Sequence, residues 1–214
     1  KILQPKPMSN QSISRISKYY NEKLTLHGST PLGVDWNGLS SQFQRFGELC
    51  KVMDTKKNFS INDFGCGYGA LYDFLIQSDY KNFQYHGNDI SPLMIQSAHE
   101  RFKGFKDISF VESTKPQQIS DFSIASGVMN VKLNEKDANW QIEVQKILSL
   151  LNEYSKYGFS FNCLTSYSDQ DKMKDYLYYA DPLQIFHYCK LEFSQNIALL
   201  HDYNLYEFSI LVKK

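Results

Sequence analysis

The pattern of apolar and polar residues changes near residue 58. Before it, apolar side chains recur every three or four residues, which is typical of amphipathic helices. The first predicted helix covers residues 9–27 and ends at Gly28, a residue that favours helix C-terminal caps. Its apolar face consists of Ile13, Ile16, Tyr20 and Leu24. A Gly- and Pro-containing connection over 28–38 follows, and the face of a second predicted helix consists of Leu39, Phe43, Phe46, Cys50 and Met53.

From residue 58 onward, short apolar strands alternate with amphipathic helices. The predicted strands cover 59–64, 83–88, 107–111, 121–126 and 157–163. The predicted helices cover 70–77, 92–102, 138–154 and the region 182–190, whereas 113–120 is polar and only weakly helical. Stretches 197–203 and 206–213 predict a closing hairpin. This alternation is typical of an α/β fold with a doubly wound parallel sheet.

Composition narrows the class of protein. Lys plus Arg and Asp plus Glu are both 23, so no overall charge attracts nucleic acid or an anionic membrane. The cysteines form no C-x-x-C pair, and neither they nor the histidines and acids have metal-ligand spacing, so we expect a reducing compartment and no metal. No signal peptide pattern and no membrane-length apolar run is found in the 214 residues. We expect a cytoplasmic protein without a membrane span.

The most informative stretch runs from a predicted strand through glycines into a predicted helix, and reads Ile61-Asn62-Asp63-Phe64-Gly65-Cys66-Gly67-Tyr68-Gly69-Ala70. Glycines at such a junction permit a sharp turn and let a ligand approach the backbone. The spacing of Gly65, Gly67 and Ala70 also fits the nicotinamide or flavin fingerprint. The glycines alone therefore indicate an adenosine-type cofactor without identifying it.

Two acidic residues and the position of the loop bear on the choice of cofactor. Asp63 lies two residues before Gly65, where a carboxylate would repel a pyrophosphate but would suit the cationic amino group of S-adenosylmethionine. Asp89 ends the next strand, where an acid binds ribose hydroxyls in both cofactor classes. The loop also comes after two helices, whereas nicotinamide domains commonly begin with it. These features favour S-adenosylmethionine.

From about residue 58 to the C-terminus the chain resembles the class I S-adenosylmethionine-dependent methyltransferases, whose first motif is D/E-x-G-x-G-x-G, here Asp63 to Gly69. The resemblance implies a Rossmann-like, mostly parallel, seven-stranded sheet closed by an antiparallel C-terminal hairpin. It also implies a single domain in which 58–214 is the cofactor-binding core and 1–57 a helical lid. The N-terminal segment and Leu199–Tyr203 are further similar to stand-alone bacterial methyltransferases of polysaccharide-biosynthesis clusters.

The resemblance assigns cofactor roles along the chain. Gly65 and Gly67 approach the amino-acid part of the cofactor, and Asp89 binds the ribose. The segment that faces the adenine lacks the usual G-D pair, so Glu112 and Ser113 both remain candidates. The planar guanidinium of Arg45 also suits the carboxylate of the cofactor. The complete set of candidate cofactor residues is Asp63, Gly65, Cys66, Gly67, Asp89, Ile90, Glu112, Ser126, Arg45 and Tyr20.

Acceptor-binding residues are expected at the carboxyl ends of the strands. If the penultimate strand is parallel, His201 becomes a candidate base with Asp202 as its partner, although adjacent strand residues point to opposite faces. Asn130 is the third catalytic candidate. The candidate substrate residues are Trp36, Asn162 and Tyr167. Core packing and loop capping are the alternative explanations for all of these side chains.

The predicted function is methyl transfer from S-adenosyl-L-methionine to a hydroxyl, or less favourably an amine, of a small metabolite. The narrower resemblance implies a sugar or a carrier-linked sugar. Two alternatives remain open: a non-catalytic subunit that binds S-adenosylmethionine, and a nicotinamide-dependent oxidoreductase, which Asp63 opposes. A nucleic-acid methyltransferase is disfavoured because no N/D-P-P-Y/F loop follows the fourth strand. The sequence leaves the oligomeric state open.

Overall fold

The computed structural model describes residues 10–214, so the part of the predicted N-terminal segment that covers 1–9 lies outside the described residues. The helices are α1 (Asn10–His27), α2 (Leu39–Cys50), α3 (Ala70–Gln77), α4 (Pro92–Arg101), α5 (Asp137–Glu153) and α6 (Pro182–Glu192). The strands are β1 (Lys57–Phe64), β2 (Lys81–Asp89), β3 (Ile108–Glu112), β4 (Ser120–Ala125), β5 (Ser155–Thr165), β6 (Tyr179–Ala180), β7 (Asn196–Leu200) and β8 (Glu207–Lys213).

One mixed sheet runs through the centre of the molecule in the order β3-β2-β1-β4-β5-β8-β7, and β6 pairs with β5. The pairings are parallel except those of β8, which is antiparallel to both β5 and β7. Hence β7 runs in the same direction as β1 to β5. The predicted fold class is confirmed, with one difference: the two-residue strand β6 is too short to leave a periodic pattern in the sequence.

Apolar side chains cover both faces of the sheet in two clusters, as a doubly wound fold requires. One face packs on α2, α3 and α4 and contains Phe46, Ile61 and Leu71. The other packs on α5 and α6 and contains Ile16 of α1, Trp140 and Phe161, whereas Tyr20 of α1 contacts both clusters. Because strand side chains alternate, neighbouring residues of β1 belong to different clusters. This alternation later fixes which side of the sheet each site residue faces.

A buried amide explains why residues 113–120 do not form a helix. Asn62, fully buried on β1, donates through Nδ2 to the carbonyl oxygens of Gln118 and Tyr154, each at 3.0 Å. Its Oδ1 accepts a hydrogen bond from Ser120 Oγ at 3.0 Å. The side chain therefore holds the stretch before β4, which contains bends and no helix, beside the end of α5. A helix here would take the Gln118 carbonyl away from Asn62.

We expect Asn62→Ala to lower the free energy of unfolding by about 2–3 kcal/mol, because it leaves buried carbonyl oxygens without a donor. Urea unfolding midpoints measure this change. The matched control is Gln117→Ala, an exposed amide in the same stretch, which should cost less than about 0.5 kcal/mol. Equal midpoints for the two variants would contradict the role given to Asn62.

Candidate active site

A cleft opens at the carboxyl edge of the sheet, where β1, β2, β3 and β4 end. Its floor is the loop that joins β1 to α3, together with Asp89 and Ile90 after β2. Residues from α1, α2 and α5 form its walls. Parallel strands place ligand sites at this edge, because their loops and helix N-termini meet there.

The loop between β1 and α3 folds back against the end of β2. The backbone N–H groups of Gly65 and Cys66 both donate to the Asn88 carbonyl oxygen, at 2.8 and 3.0 Å. Gly67 has a φ of 52° and Gly69 a φ of 85°, conformations that disfavour residues with a Cβ. A Cβ at position 69 would also lie 2.6 Å from the ring of Phe102. The loop therefore keeps this course only with glycine at these positions.

Asp89 connects the loop to the next helix. Its Oδ2 accepts a hydrogen bond from the Gly67 N–H at 2.9 Å, and its Oδ1 accepts one from the Ser91 N–H at 2.8 Å. Burial raises the pKa of Asp89, while the hydrogen bonds from Ser91, Gly67 and Ile90 act in the opposite direction. Each carboxylate oxygen has a second lone pair, so the side chain can still accept hydrogen bonds from ligand hydroxyls.

Asp63 is the second acid of the floor and is 3% exposed. Burial raises its pKa to about 7; the hydrogen bond donated by the Tyr85 hydroxyl lowers the pKa, and the nearby Asp89 raises it. The cleft thus contains a carboxyl group that changes charge near neutral pH. A cation bound beside it would favour the ionised form.

Three polar atoms in the walls of the cleft are buried and lack a hydrogen-bond partner among the described residues: Asn88 Oδ1, Ser126 Oγ and Glu143 Oε2. Buried polar groups without partners are rare, because each costs free energy relative to its hydrated state. Each of these three oxygens can accept a hydrogen bond from a ligand in the cleft.

Most of the predicted cofactor residues come together in this cleft. Those that line it are Asp63, Gly65, Cys66, Gly67, Asp89, Ile90, Ser126 and Tyr20. Glu112 is exposed and does not line it, whereas its neighbours Ser113 and Thr114 do. The remaining candidate, Arg45, is 7% exposed and lies behind the wall.

Arg45 is part of a buried polar network that supports the wall. Its Nε donates to Glu207 Oε2 at 2.7 Å, and Asn162 Nδ2 donates to the same oxygen at 2.5 Å. Asn162 Oδ1 accepts a hydrogen bond from the Gly127 N–H at 2.7 Å. The Arg45 guanidinium also lies 4.0 Å from the ring centroid of Trp36, which lines the cleft. Arg45 and Asn162 therefore act on the cleft through its wall residues Trp36 and Gly127.

The catalytic candidates lie outside the lining of the cleft. Asn130 is buried, and its Oδ1 accepts a hydrogen bond from the Leu164 N–H at 3.1 Å. His201 and Asp202 follow β7 and are exposed, and the His201 ring lies 6.2 Å from the ring of Tyr167, which is 67% exposed. As the role of His201 requires, β7 runs parallel to β1. However, β7 lies four strands away from β1, or about 19 Å. The roles of these residues stay predictions.

The prediction from the sequence missed several lining residues, among them the polar Glu143 and Gln42. Glu143 lies on α5 between Trp140 and Ile147, on the buried face of the helix. Gln42 lies on α2, is 2% exposed and accepts a hydrogen bond from the Tyr68 hydroxyl at 3.3 Å. In both cases the available signal was a polar residue at an apolar position of an amphipathic helix.

The described residues contain no helix with the length and apolar character needed to cross a membrane. No family model matches the chain. A protein of Mycobacterium tuberculosis (strain ATCC 25618 / H37Rv), named "Putative methyltransferase Rv1506c", is 48% identical over 164 residues, which cover 77% of this chain and 98% of that protein. This chain belongs to the class I S-adenosylmethionine-dependent methyltransferases. The family predicted from the glycine loop is confirmed.

Solved structures show the same fold for this methyltransferase. The N-methyltransferase NodS from Bradyrhizobium japonicum WM9, in complex with S-adenosyl-l-homocysteine, has a TM-score of 0.65 at 12% identity, covering 92% of this chain and 97% of that one. Magnesium protoporphyrin IX methyltransferase (ChlM) from Synechocystis PCC 6803 has a TM-score of 0.62 at 13% identity, with coverages of 95% and 99%. At these identities the likeness concerns the fold alone.

The raised pKa of Asp63 makes the stability of the methyltransferase depend on pH. Between about pH 4 and pH 7 the folded protein retains a proton that the unfolded chain has lost, so the free energy of unfolding falls as pH rises through this window. Asp63→Asn mimics the protonated form and should remove this loss, which at pH 8 amounts to about 4 kcal/mol at most.

Urea unfolding of the wild type and Asp63→Asn at pH 4, 6 and 8 tests this prediction. The stability advantage of the variant should grow with pH, whereas Asp54→Asn, at an exposed aspartate, should show no such trend. A difference between wild type and Asp63→Asn that does not vary with pH would contradict the raised pKa.

Proposed function

We propose that this methyltransferase transfers the methyl group of S-adenosylmethionine to a hydroxyl of a small neutral acceptor, such as a sugar or a carrier-linked sugar. The observation that carries the proposal is the neutral lining of the cleft on the side of α2, whereas the charged lining residues Glu143 and Lys146 belong to α5. The residues concerned are Tyr20, Val34, Trp36, Gln42 and Tyr68. The acceptor class itself is drawn from the narrower sequence resemblance together with this lining.

The residues of the floor fit S-adenosylmethionine. Asp89 has lone pairs available for two ribose hydroxyls, and the Gly65–Gly67 backbone leaves room for the amino-acid part. Asp63 suits the cationic amino group, which would also hold its carboxylate in the ionised form. The partnerless Ser126 Oγ and Asn88 Oδ1 offer further polar contacts in the same cleft. When bound, the cofactor supplies an electrophilic methyl group on a sulfonium.

The neutral lining favours a hydroxyl acceptor over a charged one. A cationic amine or a phosphate buried here would require a counter-charge, because unpaired buried charges are expensive. The cationic side chain behind this wall, Arg45, is paired with Glu207, and Lys146, which lines the cleft from α5, is paired with Glu143. Burial also raises the pKa of Tyr20, so its phenol stays neutral. Aromatic faces with a few neutral hydrogen-bonding groups suit a polyhydroxylated molecule.

The N-terminal segment contributes by covering the site. Ile13, Ile16 and Tyr20 of α1 line the cleft from one side, and Trp36 lines it between α1 and α2. Tyr19 and Lys23 of α1 bind Asp35, at 2.5 and 2.6 Å, which ties the helix to the Trp36 connection. Methyl transfer by in-line displacement depends on the alignment of donor and acceptor and on the exclusion of water. Because α1 covers the cleft, it helps to align donor and acceptor and to exclude water.

Calorimetric titration with S-adenosylmethionine, S-adenosylhomocysteine and NAD tests the cofactor. We expect the first two to bind and NAD not to bind, and Asp89→Ala to weaken binding about a hundredfold through loss of hydrogen bonds to a charged group. Asp54→Ala, an exposed acid, is the control and should bind like the wild type. Binding of NAD alone would contradict the proposal.

The acceptor is tested separately by incubating the enzyme and S-adenosylmethionine with sugars, sugar nucleotides and small amines. Mass spectrometry should detect a methylated hydroxyl compound. Methylation of amines with no methylated hydroxyl product would refute the hydroxyl assignment but leave the cofactor assignment in place.

A further inference from the structure

Glu143 is a buried carboxylate with one unused oxygen. It is 5% exposed and occupies the buried face of α5, one turn after Trp140 and one turn before Ile147. Its Oε1 lies 3.3 Å from Lys146 Nζ, whereas Oε2 is buried and has no hydrogen-bond partner among the described residues. An apolar side chain at this position would avoid the cost of burying a charge. The carboxylate is thus better explained by a bound ligand than by packing.

Residues from both sides of the sheet line the cleft, and we name the two groups of lining residues the α2 arm and the α5 arm. The α2 arm, lined by Val34, Trp36, Gln42 and Tyr68, lies on the side of α2, α3 and α4. The α5 arm lies on the other side and is lined by Ile16, Glu143, Lys146 and Ile147. The glycine loop and Asp89 lie between the two arms.

Strand alternation decides which arm receives each end of the cofactor. Asp63 shares a face of β1 with Ile61, which belongs to the cluster on the side of α2. Its hydrogen-bond donor Tyr85 belongs to the same cluster. The amino-acid end of the cofactor, drawn to Asp63, therefore takes the α2 side. With the ribose on Asp89 between the arms, the adenine is left to the α5 arm.

The lining of the α5 arm suits a purine. Ile90, Ile16 and Ile147 supply apolar contacts for a flat ring, and Ile90 packs against the cluster on this side of the sheet. Adenine has one exocyclic group that donates hydrogen bonds, its 6-amino group. Glu143 Oε2 is a buried acceptor in the same arm, whereas Glu112, the acid expected to serve the adenine, is exposed and outside the cleft.

We infer that Glu143 Oε2 accepts a hydrogen bond from the 6-amino group of the cofactor's adenine and selects this base. The inference rests on the S-adenosylmethionine site of the proposed function but is independent of the acceptor. A helix residue thereby takes over the contact that the loop after β3 was expected to make.

Calorimetry with two ligands tests the inference without turnover. The ligands are S-adenosylhomocysteine and its purine analogue, in which hydrogen replaces the 6-amino group. The wild type should bind the analogue about ten- to a hundredfold more weakly, the range expected for one hydrogen bond to a charged group. Glu143→Ala should bind both ligands with similar, weakened affinity. Glu153→Ala, an exposed glutamate on the same helix, should discriminate like the wild type.

Two further variants separate this contact from a structural role. Glu143→Gln should retain part of the discrimination, because the amide oxygen still accepts a hydrogen bond. Glu143→Met fills a similar volume without an acceptor and replaces Glu143→Ala if that variant does not fold. Without ligand, Glu143→Met should have a melting temperature equal to or above that of the wild type, because it removes a buried charge.

The outcomes that overturn the inference are distinct. Equal wild-type affinity for the two ligands, or unchanged discrimination in Glu143→Ala and Glu143→Met, removes Glu143 from the adenine site. Unchanged cofactor binding with a raised KM for the acceptor would move Glu143 to the acceptor site instead. If S-adenosylhomocysteine does not bind the wild type at all, the cofactor assignment of the proposed function fails as well.

Discussion

The hydrogen bonds of the Asp89 carboxylate hold the parts of the cleft in their relative positions. One oxygen binds the Gly67 N–H of the loop after β1, and the other binds the Ser91 N–H at the start of α4. These hydrogen bonds join the carboxyl ends of the neighbouring parallel strands β1 and β2 and hold the glycine loop against β2. Asp63 lines the cleft from β1, and Glu143 lines it from α5.

A network of buried charged and polar side chains supports the wall of the cleft that faces this edge. Arg45, Asn162 and Glu207 come from α2, β5 and β8 and meet behind Gly127 and Trp36. Each side chain of this network is hydrogen-bonded to another, while Glu207 Oε1 has no hydrogen-bond partner among the described residues. By joining the N-terminal helices to the C-terminal strand, the network couples the covering segment to the sheet. The N-terminal region therefore belongs structurally to the site and not merely to its surface.

Much of the fold and the cofactor floor could be predicted because both are encoded locally. The strand at 59–64, the glycines and the helix at 70–77 form one continuous motif, and the periodicity of α3 matches its observed bounds. The bond between Arg45 and Glu207 spans 162 positions, and no local pattern announces it. The proposal of His201 as a base depended on a parallel β7. The direction of β7 was predicted correctly, but strand direction carries no information on how many strands separate β7 from the cleft. Glu143 did leave a local signal, as a charge on an apolar helix face.

The central claim is that the cofactor lies across Asp89 with its two ends on opposite faces of the sheet. A crystal structure of the protein with S-adenosylhomocysteine tests it most directly. We expect ribose hydroxyls on Asp89, the amino group beside Asp63 and the adenine beside Glu143. A ligand bound outside this cleft, or with the adenine in the α2 arm, would contradict it.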